Sequence, residues 1–218
     1  MNQVKGCIFD LDGVICDTAK YHFLAWKSLA DQLGIRFTER DNERLKGVSR
    51  MESLEILLSL GTKTYQDEEK QQFAEQKNNR YVQYISNITR DELLPGVERL
   101  LTELNREGIK IALGSVSKNA SVIIDRLGVG KFFNGIIDGN NVSKAKPDPE
   151  VFLLGAAAIG IDPQYCVVFE DAAAGVQAAH RAGMRCVGIG SAEILAEAEL
   201  VVPDLSDITL SGIRNIGK

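Results

Sequence analysis

Six short apolar runs, most of them separated by segments of helical periodicity, constrain this 218-residue chain more than any other feature. The runs are "VKGCIFD" (4–10), "IKIALGS" (109–115), "GIID" (135–138), "YCVVFED" (165–171), "RCVGIG" (185–190) and "LVVPD" (200–204). Their apolarity is continuous rather than alternating, which marks strands covered on both faces. Between them, "VERLLTELNREG" (97–108) carries apolar residues at helical spacing and closes on glycine. "DPEVFLLGAAAIG" (148–160) offers Asp148 as N-cap and Pro149 in the first turn, and "AAAGVQAAHRAG" (172–183) again ends in glycine. Alternation of this kind predicts an α/β fold: a doubly wound parallel sheet with helices on both faces.

One segment breaks the rhythm. From about residue 19 to 90 the pattern is helical only. "AKYHFLAWKSLADQLG" places Phe23, Trp26, Ala30 and Leu33 on one stripe, and "RMESLEILLSLG" and "DEEKQQFAEQKNNRYVQYI" follow with helical patterns of their own. The expected organisation is an α/β core of residues 1–17 and 91–218, with a helical cap domain of residues 18–90 inserted after the first strand.

Composition narrows the function classes. Hydrophobic residues make up 44% and charged residues 25%, as in an ordinary globular protein, and the net charge of -5 argues against nucleic acid as a partner. No apolar run approaches membrane-spanning length, and Met1 leads into a strand without a secretory leader, so a cytoplasmic protein with no membrane partner is expected. The four cysteines (Cys7, Cys16, Cys166, Cys186) form no CxxC pair and read as buried, reduced thiols.

Ligands of open α/β sheets bind beyond the carboxyl ends of the strands. The first run ends in Asp10 and Asp12, the second in Ser115 followed by Ser117, Lys118 and Asn119. The loop after the third carries Lys144 and Lys146, and the fourth ends in Glu170 and Asp171. Any one of these alone would be an ordinary solvated loop residue, and Lys144 is read that way. Four acids, two cations and two hydroxyls converging on one rim are not ordinary. His180 lies in an Ala-rich helix away from this rim and is read as structural or solvated.

Asp10, Glu170 and Asp171 offer oxygen ligands without His or Cys, which suits a hard cation, Mg²⁺ first. The cation would also answer the cost of burying carboxylates at a strand end. Ser115 and Lys146 supply a donor and a positive charge for a phosphoryl group, and a helix N-terminus after Ser117 adds backbone donors. Asp10 is then placed as nucleophile, forming an aspartyl-phosphate, and Asp12 as acid/base, one residue apart before the turn at Gly13.

The motifs "DLDGV" (Asp10, Asp12), "GS" (Ser115), "KAKPDP" (Lys146) and "ED" (Glu170, Asp171) resemble those of the haloacid dehalogenase-like superfamily of phosphotransferases, and the match spans the chain. The resemblance implies that Asp10 and Asp12 are catalytic, with Asp10, the Asp12 carbonyl, Glu170 and Asp171 on Mg²⁺. The helical insert resembles that superfamily's first cap type. Its stretches "TAKYHFLAWKSLADQLGI" and "ERLKGVSRMESL", with "SVSKN" in the core, resemble a sugar-phosphate mutase branch. By that resemblance Thr18, His22, Trp26, Lys46, Gly47, Arg50, Ser53 and Lys77 contact substrate or gate the site. Ser117, Lys118 and Asn119 meet the substrate from the core, beside Val116, where alanine is commoner.

A bisphosphorylated sugar needs a second phosphate site remote from Asp10, and the guanidinium fork of Arg50 suits it. The plain alternatives are a core role for Trp26 and solvated positions for His22, Arg50 and Lys77. The implied reaction interconverts β-D-glucose 1-phosphate and glucose 6-phosphate, with β-glucose 1,6-bisphosphate as primer and intermediate. The rival is a sugar-phosphate phosphatase. A monomer is expected.

Overall fold

The structure is a computed structural model and describes residues 4–45 and 48–216. The chain divides into two units, Met1–Asp17 with Thr89–Lys218, and Thr18–Ile88.

The first unit is a six-stranded, wholly parallel sheet in the order β3-β2-β1-β4-β5-β6. The strands are β1 (Gly6–Phe9), β2 (Lys110–Gly114), β3 (Gly135–Ile137), β4 (Cys166–Glu170), β5 (Arg185–Ile189) and β6 (Leu200–Val202). β1 and β4 are buried at every position, as their unbroken apolarity requires. In-register pairing sets Phe9 beside Phe169, and their rings stack at 4.4 Å. Ile8, Ala112 and Val168 pack with Phe152 of α7 (Glu150–Ile159) and Val176 of α8 (Ala173–Arg181). Helix α5 (Val97–Arg106) buries Val97, Leu100, Leu101 and Leu104, a single stripe at spacings of three and four, and packs on β2. Helices α6 (Ala120–Leu127) and α9 (Leu210–Asn215) complete this unit.

The cap of α7 differs from the sequence expectation. Pro149, not Asp148, occupies the N-cap position, because the chain becomes helical only at Glu150. Asp148 still accepts the Glu150 N–H at 3.0 Å, so it satisfies the orphan donor from one residue further out.

The second unit is helical: α1 (Ala19–Leu33), α2 (Glu39–Glu43), α3 (Arg50–Leu58) and α4 (Asp67–Ile85). Its core gathers Trp26, Leu29, Ala30, Leu54, Leu57 and Ala74, with Phe23 and Leu33 packed at its margin. Gly34 ends α1 in the left-handed conformation (φ 72°), which glycine adopts without a Cβ penalty. Among the described residues no helix is long and apolar enough to cross a membrane, and all four cysteines are buried thiols without disulfides.

Candidate active site

The order of the sheet reverses its winding between β1 and β4, the crevice where open α/β sheets bind ligands. Asp10 follows β1 there, and its N–H donates to the Phe169 carbonyl at 3.0 Å. Glu170 closes β4 and Ser115 follows β2, its N–H bonded to the Ile137 carbonyl at 3.0 Å. Asp10, Glu170, Ser115 and Lys146 are all buried.

Lys146 arrives from the connection between β3 and α7. Its ammonium donates to Asp10 Oδ1 at 2.7 Å and to Glu170 Oε2 at 2.8 Å. Burial alone would favour a neutral lysine, but Asp10 and Glu170 outweigh it and raise the Lys146 pKa above its ordinary value. Burial pushes the Glu170 carboxyl up, to about 8; Lys146 opposes this, while Asp10 and Asp171 add to it.

Carboxylate oxygens of Asp10, Glu170 and Asp171 lie within 4.8 Å of one another. With all three carboxylates ionised, the one ammonium leaves two negative charges, the complement of a divalent cation, and a bound cation would oppose the burial that pushes the Glu170 carboxyl up. Two glycines make room for this crowding. A methyl group at Gly13 would stand 2.1 Å from Asp171 Oδ2, and one at Gly175 would stand 2.0 Å from Glu170 Cδ. The oxygen-only donor set and the glycine-backed carboxylates fit Mg²⁺.

Asp12 is half-buried in a tight turn where Gly13 has φ 78° and donates to the Cys16 carbonyl at 2.9 Å. The loop after Ser115 folds on itself, with the Ser117 N–H donating to Ser115 Oγ at 3.1 Å. Val116, Ser117 and Asn119 are half-buried and Lys118 is exposed. Helix α6 begins at Ala120, with Asn119 at its N-cap position.

The helical unit holds a polar cluster of its own. Lys77 of α4 is buried, not solvated, and stands 2.9 Å from His22 Nδ1. Its ammonium lies over the rings of Trp26 (4.6 Å) and Tyr81 (4.8 Å), and His22 packs on Tyr81 at 4.1 Å. Burial first, then Lys77 and Arg50, hold the His22 pKa well below 6.5. Trp26 belongs to the core, and its ring also faces the lysine. Arg50 donates through Nη2 to Asn78 Oδ1 at 2.8 Å, and burial lowers its pKa. Ser53 and Thr18 are buried, the Thr18 carbonyl accepting the N–H groups of Tyr21 and His22 in the first turn of α1. Lys46 and Gly47 lie outside the described residues.

Sequence reasoning missed several supporting residues. Glu150 accepts the N–H groups of Ser143 and Lys144, both at 2.8 Å, and so braces the stretch that delivers Lys146. Arg181 donates to the Pro147 carbonyl at 3.0 Å. Asn78 sits beside Lys77 in an ordinary polar helix pattern, which carries no signal of its contact with Arg50. Lys144, read as solvated, is exposed and pairs with Asp148, and His180, read as structural or solvated, pairs with Glu199.

Residues 4–183 match the family model of the haloacid dehalogenase-like hydrolases, and the chain belongs to that family. Within it the chain is similar to the β-phosphoglucomutase of Bacillus subtilis, at 49% identity over 95% of this chain and 92% of the relative. It is also similar to the crystal structure of β-phosphoglucomutase from Clostridium difficile, with a TM-score of 0.92 at 45% identity, covering 96% of this chain and 95% of the other. A phosphorylated carbohydrates phosphatase of Thermotoga maritima is 33% identical over 83% of this chain and 82% of the relative.

Proposed function

We propose that this protein interconverts β-D-glucose 1-phosphate and glucose 6-phosphate by way of β-glucose 1,6-bisphosphate. One observation carries the reading: a chain similar end to end to a β-phosphoglucomutase also places Asp10, bridged by Lys146 to Glu170, at the crevice of its sheet.

The Asp10 carboxylate attacks the phosphorus of the bisphosphate, the P–O bond to the sugar breaks, and Asp12 gives its proton to the departing sugar oxygen. Phosphate is then carried on Asp10. In the opposite half, Asp12 takes the proton from the accepting hydroxyl as that oxygen attacks the phosphorus. Lys146 and Ser115 hold the transferring group, and positioning plus charge balance account for most of the rate. Mg²⁺, held by Asp10, Glu170, Asp171 and the Asp12 carbonyl, neutralises phosphoryl charge when bound.

Ser117, Lys118 and Asn119 meet the substrate from the core, with Val116 as pocket wall. Arg50 takes the phosphate that is not being transferred. Thr18, His22, Trp26, Lys46, Gly47, Ser53 and Lys77 select the sugar and gate the reaction, so that water does not take the phosphate from Asp10. The enzyme works as a cytoplasmic monomer.

The test is an assay on β-glucose 1-phosphate with bisphosphate primer and Mg²⁺, reading glucose 6-phosphate and inorganic phosphate in parallel. Glucose 6-phosphate in large excess supports the mutase. Stoichiometric phosphate release would make the protein a phosphatase, as its Thermotoga maritima relative is by name. No turnover of either kind would remove the proposal.

A further inference from the structure

We propose that the turn at 138–141, built on Asp138, is the positioning element of the substrate-binding loop at 115–119. This deepens the phosphoryl-transfer reading and rests on it.

Asp138 follows β3 and is buried. Each of its carboxylate oxygens has a partner: Oδ1 accepts the Asn140 N–H at 2.8 Å, and Oδ2 accepts the Ser121 hydroxyl at 3.0 Å. Its own N–H donates to Asn141 Oδ1 at 2.9 Å. The carboxylate therefore closes the turn and ties it to α6, the helix that follows the loop.

The turn then grips the loop backbone twice. The Gly139 N–H donates to the Ser117 carbonyl at 3.0 Å, and Asn140 Nδ2 donates to the Lys118 carbonyl at 3.2 Å. The approach is close enough to require glycine, since a methyl group at Gly139 would stand 2.2 Å from the Val116 carbonyl oxygen. The Ser117–Lys118 peptide is trans, so its C=O and N–H point in opposite directions. With the Ser117 carbonyl held against Gly139, the Lys118 N–H is directed away from the turn. It has no protein acceptor among the described residues. It is left as a donor at the carboxyl end of β2, where an anionic ligand can take it.

A turn that only stabilised the fold would, when damaged, lower the amount of active enzyme and hence kcat, with KM unchanged. A positioning turn changes KM instead, because Asp10, Asp12 and Lys146 are untouched. Asp138→Ala is expected to raise KM for β-glucose 1-phosphate about tenfold with kcat within about threefold, and Asp138→Asn, which keeps an oxygen for Asn140, to recover most of the loss. Asn140→Ala removes only an exposed side chain and serves where Asp138→Ala fails to fold; its KM is expected to rise about threefold. A folded variant of either kind with wild-type KM would overturn the proposal.

A second measurement does not depend on mutase activity: amide ¹⁵N–¹H shifts of Lys118 during titration with inorganic phosphate in Mg²⁺ buffer. The wild-type amide is expected to move, with a dissociation constant about tenfold weaker in Asp138→Ala. An unmoved Lys118 amide, or equal constants, would overturn the positioning role even if turnover of the sugar phosphate is normal. A moving amide in a protein without sugar-phosphate turnover would instead retain the positioning role and reject the substrate.

Discussion

Lys77 Nζ, buried in the helical unit, lies 2.9 Å from Nδ1 of the half-buried His22. An ammonium only donates, so Nδ1 is the acceptor and the proton of the neutral ring resides on Nε2. Burial, Lys77 and Arg50 all disfavour a second proton and hold the pKa well below 6.5. In the unfolded chain His22 takes up a proton near pH 6.5, while in the folded chain it does not. The contribution is therefore neutral above that pH, and stability falls as pH drops below it, by up to about 1.4 kcal/mol per pH unit. Ring ¹⁵N shifts should report the Nε2–H tautomer down to pH 5.5. The difference in unfolding free energy between pH 7.5 and 5.5 should shrink in His22→Asn. A His22 ring titrating at an ordinary value would contradict both expectations.

Lys146 pairs with the buried carboxylates of Asp10 and Glu170, and its removal leaves their charge uncompensated. Lys146→Met should cost about 3 kcal/mol in urea unfolding without metal, since breaking a buried pair exposes the desolvation of the remaining partner. Millimolar Mg²⁺ should stabilise this variant more than the wild type, because it binds the native state and replaces the lost charge. Equal Mg²⁺ stabilisation of the two proteins would argue that the carboxylates do not share a cation.

Gly175 lies within α8 without a special backbone angle, so alanine suits its helix. The added methyl would nevertheless meet the Glu170 carboxyl at 2.0 Å. Gly175→Ala should weaken the Mg²⁺ requirement curve by about tenfold or more, because overpacking at this contact costs about 1–3 kcal/mol and displaces the carboxylate. Metal titration of activity, with thermal unfolding as control, measures it. An unchanged half-saturating Mg²⁺ concentration would mean that Glu170 is not held for metal.

Asp12→Asn removes the proposed acid without changing shape. Turnover of the sugar phosphate should fall by about 10²–10⁴-fold. The burst of para-nitrophenolate released as para-nitrophenyl phosphate phosphorylates Asp10 should slow far less, because the leaving phenolate needs no proton. Equal losses on the two substrates would assign Asp12 another role.

The architecture was legible in the chain because its strands are buried on both faces. That burial leaves runs such as "CVVF" (166–169) that no amphipathic helix requires, and the observed strands fall inside the expected runs. The one shifted cap, at Pro149, reflects local competition between turn and helix that periodicity does not register. Asp10, Ser115, Lys146 and Glu170 were legible for a related reason: a charge or hydroxyl at a strand end stands out against an apolar run.

The supporting residues were not legible, because their meaning lies in partners distant along the chain. Lys77 is named by resemblance alone, and its Gln and Asn neighbours read as solvated until α1 and α4 pack and set Trp26, Tyr81 and His22 around it. Glu150 looks like a first-turn acid until it folds back on Ser143 and Lys144. By itself, then, the order of residues determined the sheet, the helical insert and the chemistry available at the strand ends, all of which follow from local polarity. Only the tertiary structure decided which charges are buried, which glycines make room for a carboxylate and which turn grips the loop after β2. Those depend on distances between segments that no local pattern encodes.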